Sequence, residues 1–297
     1  MLWTHLREEQ FPQAIEESHK VCAIPIGATE KHGQHLPVGT DTLEVGKIAE
    51  LAAKIEKVVV FPKVFFGNNQ GAQAFPASKT GYGYIALNYD LLFELYRALI
   101  EEVARNGFDR ILLVSGHGGN SNIFSSLIKS ICATKKDYSV FSYMPELVLP
   151  AEILKYVEDH GGRANFPQLT DEDFKTMEEY VANNKYDGHG GFGETAWVMG
   201  TYPELVDLSR CEAESGLTTH IADPLAEKGI QWGRAWYANY PNAYCGHPPI
   251  GLTQQIADLS VKIAVEKLAD VYKTLKDDSI MNPIINSGYI DHRKGTE

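Results

Sequence analysis

The feature that most constrains this chain is the stretch at residues 24–41, which reads IPIGATEKHGQHLPVGTD. It contains two carboxylates and two imidazoles, at Glu30, His32, His35 and Asp41. The glycines and prolines within it are incompatible with a plain helix or strand, so a loop is predicted. Acidic and imidazole groups crowded into one loop are costly unless a cation neutralises them. The stretch therefore predicts one half of a metal site.

The amino-acid composition limits the classes of protein to which this chain can belong. Its 297 residues suit one large α/β domain, and a formal net charge of −12 argues against a nucleic-acid binder. The N-terminal residues lack the apolar core of a signal peptide, and no run reaches the ~18 apolar residues that span a bilayer. Four scattered cysteines without a CxxC pair are typical of reduced thiols. We therefore expect a cytoplasmic protein that binds neither nucleic acid nor membrane.

Two parts of the chain alternate between strand, loop and helix. Short apolar runs predict buried strands, and the segments between them have apolar residues at helical spacing. The predicted elements are strand 21–27, helix 42–55, strand 58–61, strand 110–115, helix 121–135 and strand 139–143. This alternation predicts an α/β fold in which helices cover a parallel sheet.

Two further amphipathic helices are predicted from the spacing of apolar residues. The one that follows Asn88 is expected to bury Leu91, Leu92, Leu95, Leu99 and Val103. The one at residues 253–275 is expected to bury Ile256, Leu259, Ile263, Val265 and Leu268. Each would cover the sheet with its apolar side.

The remaining segments predict a single domain over residues 1–297. The polar segment 151–186 interrupts the rhythm and is predicted to be an insertion or flap, and residues 277–297 are predicted to form a peripheral tail. Residues 65–84 are rich in Gly, Asn, Gln and aromatic residues, which suits a functional loop and a surface or subunit contact equally well. A later aromatic cluster consists of Trp232, Trp236, Tyr237 and Tyr240.

Two more loops carry side chains of the ligand type. Residues 116–120 read GHGGN directly after a predicted strand, and residues 187–197 read DGHGGFGETAW, so glycines flank His117, His189 and Glu194. Loops at the carboxyl ends of parallel strands meet at one edge of the sheet, so the first two loops are expected to share a crevice. Each loop alone has an ordinary alternative, because a Glu-x-His pair is common and glycine-rich turns carry polar residues by chance. Together the loops point to a metal centre.

The three loops resemble those of the creatininase family of metal hydrolases. The matching pieces are IPIGATEKHGQHLPVGTD, LLVSGHGGN and GHGGFGET, in the same order and at similar separation, with weaker support from CGHP at residues 245–248. The resemblance implies a three-layer α/β/α fold with a mostly parallel central sheet. It also implies two divalent metal ions per subunit (zinc, manganese or iron in different members) and a homo-oligomer, often a hexamer.

The resemblance further implies a set of metal ligands. Those of one ion are Glu30, Asp41 and His117, and those of the second are His32, Asp41 and a further carboxylate. In creatininase itself that carboxylate lies two residues after the histidine of the second loop, where this chain has Gly119. In family members with the GHGGN form the ligand is the glutamate of the third loop, which is Glu194 here. The chain therefore resembles the GHGGN branch more than creatininase.

Other residues are expected to support the reaction. His189 is predicted to move a proton to the leaving atom, because an imidazole near neutral pH can both give and take one. His35 is interpreted as a residue that supports the ligands and is not itself a ligand. Backbone N–H groups at Gly118, Gly119 and Asn120 are expected to stabilise a developing oxyanion at the start of a helix.

These expectations define a function with alternatives. The prediction is hydrolysis of the C–N bond in a small cyclic amide by a hydroxide that bridges two metal ions. Creatininase encloses its flat substrate with tryptophans from the segment before the third loop, and this chain has no Trp between residues 150 and 189, which argues against creatinine. The alternatives are ring opening of a cyclic diketone such as a keto-inositol by C–C cleavage, metal binding without catalysis, and a purely structural role of the loops.

Overall fold

The computed structural model describes residues 1–74 and 76–286, and this part of the chain contains one sheet of four parallel strands. The strands are β1 (Val21–Ile26), β2 (Val59–Val60), β3 (Arg110–Ser115) and β4 (Ser139–Tyr143). Their order is β2–β1–β3–β4, so β1 and β3 lie side by side at the centre. In the register of this pair, Ile26 lies opposite Ser115. The loops that follow β1 and β3 therefore leave the same edge of the sheet.

Helices connect the strands and follow them. They are α1 (Phe11–Glu17), α2 (Thr40–Ile55), α3 (Ala77–Thr80), α4 (Tyr89–Arg105), α5 (Asn120–Ile131), α6 (Pro150–Asp159), α7 (Asp171–Ala182), α8 (Phe192–Thr201), α9 (Asp223–Ala226), α10 (Ala235–Asn239), α11 (Gln254–Lys276) and α12 (Asp278–Asn286). The predicted helices 42–55, 121–135 and 253–275 correspond to α2, α5 and α11, with small differences at their ends. None of the described helices combines the length and the apolar character that a membrane span requires.

Side chains of the central strands alternate between the two faces of the sheet and enter two separate hydrophobic clusters. Ala23 and Leu112 join one cluster with side chains of α2, α8 and α11. Cys22 and Leu113 join the other with side chains of α4 and α5. Every residue of β1 and β3 is buried, as expected for parallel strands that are covered on both faces. The architecture is a three-layer α/β/α fold, so the predicted fold class is confirmed.

The predicted buried stripe of α4 is partly wrong. Leu92 and Val103 are buried as predicted, but Tyr96 and Ile100 complete the buried face, and Leu91 is 55% exposed. The buried positions follow the 3.6-residue turn, whereas Leu91 lies one residue, or about 100°, away from that face. The predicted apolar side of α11 is buried throughout.

The predicted insertion and the predicted tail both contain helices that contact the core. Residues 151–186 include most of α6 and all of α7, whose Ile153 and Phe174 are buried in the same cluster as α11. In the predicted tail, Met281 of α12 is buried, and residues 287–297 lie outside the described residues. The predicted boundaries of the insertion and the tail stay predictions.

Candidate metal centre

Three loops converge at the edge of the sheet where β1 and β3 end. The first, residues 27–39, connects β1 to α2, and the second, residues 116–119, connects β3 to α5. The third, residues 183–191, leads into α8, which packs against α2 and α11. This packing brings the start of α8 to the sheet edge, so the ligand-type side chains of all three loops meet there.

Two glycines allow the start of α2 to come against the ends of both central strands. A Cβ atom at Gly27 would lie 2.3 Å from the backbone nitrogen of Thr42, and one at Gly116 would lie 2.1 Å from the carbonyl oxygen of Asp41. Because contacts this short cannot exist, any other residue would push α2 away from the strands. The close approach places Asp41, in the first turn of α2, between the first two loops.

Asp41 lies between two histidines, with one carboxylate oxygen near each. His32 Nε2 is 2.7 Å from Asp41 Oδ1, and His117 Nδ1 is 3.1 Å from Asp41 Oδ2. Glu30 Oε1 lies 2.8 Å from His117 Nδ1, and Glu194 Oε2 lies 3.6 Å from His32 Nε2. All five side chains belong to residues that are at most 9% exposed. The centre therefore consists of two triads that share Asp41. One triad is Glu30, Asp41 and His117, and the other is His32, Asp41 and Glu194.

The ligand atoms of each triad are close enough together to bind one cation, since they lie within 4.8 Å of one another. A third set of the same compactness adds His189 to Glu30 and His32. His189 Nδ1 lies 3.8 Å from Glu30 Oε1, and its ring stacks on that of His32 with the centroids 3.9 Å apart. The fold thus brings together all the ligands implied by the family resemblance, with His189 beside them.

Three histidines of the centre, His32, His117 and His189, each direct one ring nitrogen to a backbone carbonyl and the other to the carboxylates. The carbonyl contacts are His32 Nδ1 to Glu30 O at 3.1 Å, His117 Nε2 to Asn68 O at 3.0 Å, and His189 Nε2 to Lys31 O at 2.7 Å. A carbonyl oxygen only accepts, so the nitrogen that faces it must carry the proton. In the neutral imidazole the opposite nitrogen offers a lone pair, which is the tautomer of a metal-binding histidine.

Without a cation, the buried acids and imidazoles neutralise one another. Burial alone would lower the pKa of His32, but the Asp41 and Glu194 carboxylates raise it to about 9. Burial raises the pKa of Glu194 to about 8, against the opposing effect of His32. Burial also opposes ionisation of Asp41, yet His32 and His117 hold its pKa well below the usual range. Protons on the histidines thus supply the positive charge that the carboxylates require.

Among the carboxylate oxygens of the two triads, two have no hydrogen-bond donor in good geometry within the described part of the chain. They are Glu30 Oε1 and Asp41 Oδ2, the oxygens that lie nearest to His117 Nδ1. A buried carboxylate oxygen without a partner costs free energy until it gains a donor or a cation. Mixed carboxylate and imidazole donors suit zinc, manganese or iron. The residues present therefore fit a divalent metal ion.

Asp187 is a site residue that the search for ligands in the sequence misses. Its Oδ1 accepts from the backbone N–H of Phe192 at 2.6 Å, and its Oδ2 accepts from that of Gly193 at 3.0 Å. These N–H groups belong to the first turn of α8 and have no partner inside the helix. The carboxylate therefore anchors the helix start that presents Glu194. The signal in the sequence is an Asp just before a glycine-rich turn that opens a helix.

The other predicted residues lie around the two triads. His35 Nε2 hydrogen-bonds a carbonyl of the third loop at 3.0 Å, and burial lowers the pKa of His35 to about 4. The Asn120 side chain accepts from the backbone N–H of Asn68 at 2.9 Å. Gly118 and Gly119 form the turn before α5. The expected oxyanion role of this turn stays a prediction.

Aromatic side chains from two distant segments border the centre. Trp236 of α10 contacts the His189 ring edge to face, with the centroids 5.1 Å apart. Burial and the nearby Glu30 carboxylate raise the pKa of both Tyr84 and Tyr237. The aromatic cluster around residue 236 is visible in the sequence, but its position beside His189 is not. We call Tyr84, Trp236 and Tyr237 the aromatic rim.

Comparison with known proteins identifies the family. The family model described as creatininase, creatinine amidohydrolase, matches residues 4–272, and this chain belongs to the creatininase family. A creatinine amidohydrolase from Pseudomonas putida is 27% identical over 207 residues, which cover 68% of this chain and 72% of that relative. The predicted family is therefore confirmed, while the GHGGN branch stays a prediction.

Two further relatives align over smaller shares of their own length. A mycofactocin precursor peptide peptidase from Mycolicibacterium smegmatis is 33% identical over 111 residues, or 35% of this chain and 42% of that relative. A 3-dehydro-scyllo-inosose hydrolase from Thermotoga maritima is 24% identical over 201 residues, or 65% of this chain and 54% of that relative. The names of the relatives thus cover more than one type of bond.

Solved structures share the fold. A crystal structure of creatinine amidohydrolase has a TM-score of 0.63 at 20% identity and covers 91% of this chain and 95% of its own. A structure described as creatininase Mn has a TM-score of 0.60 at 19% identity and covers 92% of this chain and 97% of its own. At this level of identity the likeness supports the three-layer fold alone.

Replacing Asp187 by Ala is expected to lower the free energy of unfolding by about 1–2 kcal/mol, because two N–H groups at the start of α8 lose their acceptor. Equilibrium urea denaturation measures the change. Asp277→Ala is a matched control, since Asp277 also accepts from a backbone N–H, at 2.8 Å, but is exposed and water can replace it. Equal losses in the two variants would contradict the proposed anchoring of α8.

Proposed function

We propose that this protein is a hydrolase that uses two divalent metal ions in one centre. The ligands of one ion would be Glu30, Asp41 and His117, and those of the other His32, Asp41 and Glu194. The observation that carries the proposal is the position of Asp41, whose two oxygens face different histidines at 2.7 and 3.1 Å. A carboxylate used on both sides in this way suits a bridge between two cations.

Zinc, manganese and iron are the proposed metals. Two solved creatininase structures are described as creatininase Mn and as a Zn-Zn type variant. The donor set of this chain combines carboxylate oxygens with imidazole nitrogens, which all three metals accept. Divalent ions would also replace the protons that His32 and His117 hold in the protein alone.

The chemistry combines metal ions with a proton carrier. Bound ions would lower the pKa of a water molecule and polarise the substrate carbonyl. His189 is the proposed proton carrier: its Nε2–H donates to the Lys31 carbonyl at 2.7 Å, so Nδ1 is the nitrogen that can take a proton. Burial and the charge of His32 lower the pKa of His189 to about 4, so Nδ1 carries no proton at neutral pH.

The competing assignment makes His189 a metal ligand. The same Nδ1 faces Glu30 and belongs to the third compact set with Glu30 and His32. Loss of a metal ligand lowers metal content, whereas loss of a proton carrier lowers turnover and leaves the metal content unchanged. Metal content of a His189→Ala variant therefore separates the two assignments.

The proposed substrate is a small cyclic amide whose ring lies against the aromatic rim. A relative named creatinine amidohydrolase aligns over 68% of this chain, which supports an amide. The lack of Trp between residues 150 and 189 counts less against a flat ring, because Trp236 supplies an indole beside His189 from another segment. A flat ring can stack on an indole face.

A ring-opening C–C hydrolase is the second candidate. The observation in its favour is the 24% identity to 3-dehydro-scyllo-inosose hydrolase over 65% of this chain. Attack on a polarised carbonyl also precedes cleavage of a C–C bond in a cyclic diketone, so the same residues would serve. A peptide substrate has weaker support, since the peptidase relative aligns over only 35% of this chain.

Purified protein is expected to contain two divalent ions per chain, and Asp41→Ala is expected to lose both because Asp41 belongs to each triad. Glu30→Ala is expected to lose one. Elemental analysis of folded protein after gel filtration measures the content. The matched control is His220→Ala, which removes the histidine of an exposed His220–Asp223 pair at 2.6 Å and should leave the metal content unchanged. Retention of both ions by Asp41→Ala would reject the shared ligand.

Metal affinity is expected to rise with pH. Without metal, the pKa values of about 9 for His32 and about 8 for Glu194 mean that this pair of groups holds a dissociable proton at pH 7 that a bound cation would displace. A cation needs them deprotonated, so affinity should increase ~10-fold per pH unit for each proton released. Zinc titration calorimetry from pH 6 to pH 8, in buffers of different ionisation enthalpy, counts these protons. An affinity that does not change with pH would contradict the titration of these groups.

The substrate class is tested with metal-loaded protein and a panel of cyclic amides, formamides and keto-inositols. Turnover of a cyclic amide, followed by chromatography of the ring-opened product, is the expected result. Ring opening of the keto-inositols alone would reject the amidohydrolase in favour of the C–C hydrolase. Full metal occupancy without turnover on any member of the panel would favour a metal-binding protein without catalysis.

A further inference from the structure

The orientation of His117 depends on a residue from a different part of the chain. His117 Nε2 donates to the backbone carbonyl of Asn68 at 3.0 Å, and this bond is what leaves Nδ1 facing Glu30 and Asp41. Asn68 belongs to the non-helical residues 65–69, which follow β2. A carbonyl in such a segment can orient the imidazole only if something holds the carbonyl in place.

Two asparagine side chains hold the Asn68 carbonyl in place. The backbone N–H of Asn68 donates to Asn120 Oδ1 at 2.9 Å, and Asn68 Nδ2 donates to the carbonyl of Gly119 at 2.9 Å. The peptide units of residue 68 and of the GHGGN turn are therefore joined at two points beside the His117 bond. We call Asn68 and Asn120 the asparagine clasp.

Asn120 connects the clasp to the sheet. Asn120 is completely buried. Its Nδ2 lies 3.3 Å from the carbonyl oxygen of Ile26 and 3.4 Å from that of Gly27, at the end of β1. Both ends of the carboxamide thus contact backbone groups of the protein. Asn120 is placed to act on the centre through His117, with no part of its side chain left over for a substrate.

The absence of a side chain at Gly119 leaves room for the hydrogen bond from His117 Nε2 to the Asn68 carbonyl. A Cβ atom at Gly119 would lie 2.4 Å from the Asn68 carbonyl oxygen and 2.4 Å from His117 Nε2. Any side chain at this position would therefore force the two bonded atoms apart. A carboxylate ligand at residue 119 is incompatible with the clasp, and the third loop supplies Glu194 instead.

We infer that Asn68 and Asn120 are positioning residues of the metal centre, which keep the proton of His117 on Nε2 and its lone pair toward Glu30 and Asp41. Gly119 is required because the hydrogen bond occupies the place of its side chain. The inference rests on the proposed two-metal function and concerns the ion held by Glu30, Asp41 and His117.

The test measures metal affinity in Gly119→Ala and Asn120→Ala. Chelator competition with zinc is expected to show one of the two ions bound about 10- to 100-fold more weakly in each variant, since groups that orient a ligand typically contribute that much. Cobalt(II) absorption is expected to change for the same ion, because the geometry of its histidine ligand changes. These readouts do not depend on knowing the substrate.

Two controls separate positioning from simple loss of stability. Gly118→Ala is the matched glycine variant, because a Cβ there would meet no described atom within 4 Å, and its zinc affinity should equal that of the unaltered protein. Ser260 lies on α11, away from the clasp, and its buried hydroxyl donates to the carbonyl oxygen of Val148 at 3.2 Å. Ser260→Ala should lower the melting temperature without changing zinc affinity.

The outcomes are distinguishable. Zinc affinity and a cobalt spectrum equal to those of the unaltered protein in folded Gly119→Ala and Asn120→Ala would overturn the inference and leave the proposed function standing. Failure of the unaltered protein to bind any divalent ion would overturn the proposed function and the inference with it. If Asn120→Ala does not fold, Gly119→Ala and Asn68→Ala decide the question by the same measurements.

Discussion

The position of Asp41 is the constraint on which the rest of the centre depends. It lies in the first turn of α2, where free backbone N–H groups favour negative charge, and both of its oxygens face histidines. That position exists only because Gly27 and Gly116 let α2 approach the ends of β1 and β3 to distances that no Cβ would permit. A small shift of α2 would separate the two triads.

The backbone does as much as the side chains to organise the site. Three carbonyl groups, from residues 30, 31 and 68, each take one ring nitrogen of a histidine and so point the other at the carboxylates. The buried carboxylates therefore face the second ring nitrogen of each histidine in a fixed direction, whether or not that nitrogen carries a proton. Asn120 holds the peptide of residue 68, and Asp187 holds the start of α8 that presents Glu194, so the loops as well as the sheet position the ligands.

The predictions from the sequence succeeded where the signal is local. Strands β3 and β4 have the predicted bounds, since a short run dominated by apolar and aromatic residues can be recognised without its tertiary context. The face of α4 was harder, because Leu91 and Leu92 are equally apolar and only packing shows which of them turns inward. The sequence did not predict Asn68 and Trp236 as site residues, because both are remote in the chain from the histidines that they contact.

By itself, the sequence determined which side chains are available to the centre: glutamate, histidine and aspartate in loops at strand ends, and a glycine at residue 119. The tertiary structure alone decided which oxygen of Asp41 faces which histidine, which ring nitrogen is free, and why residue 119 has no room for a side chain. The reason is that these distances are set between loops, by the packing of α2 and α8 at the sheet edge. Spacing along one chain segment carries no information about them.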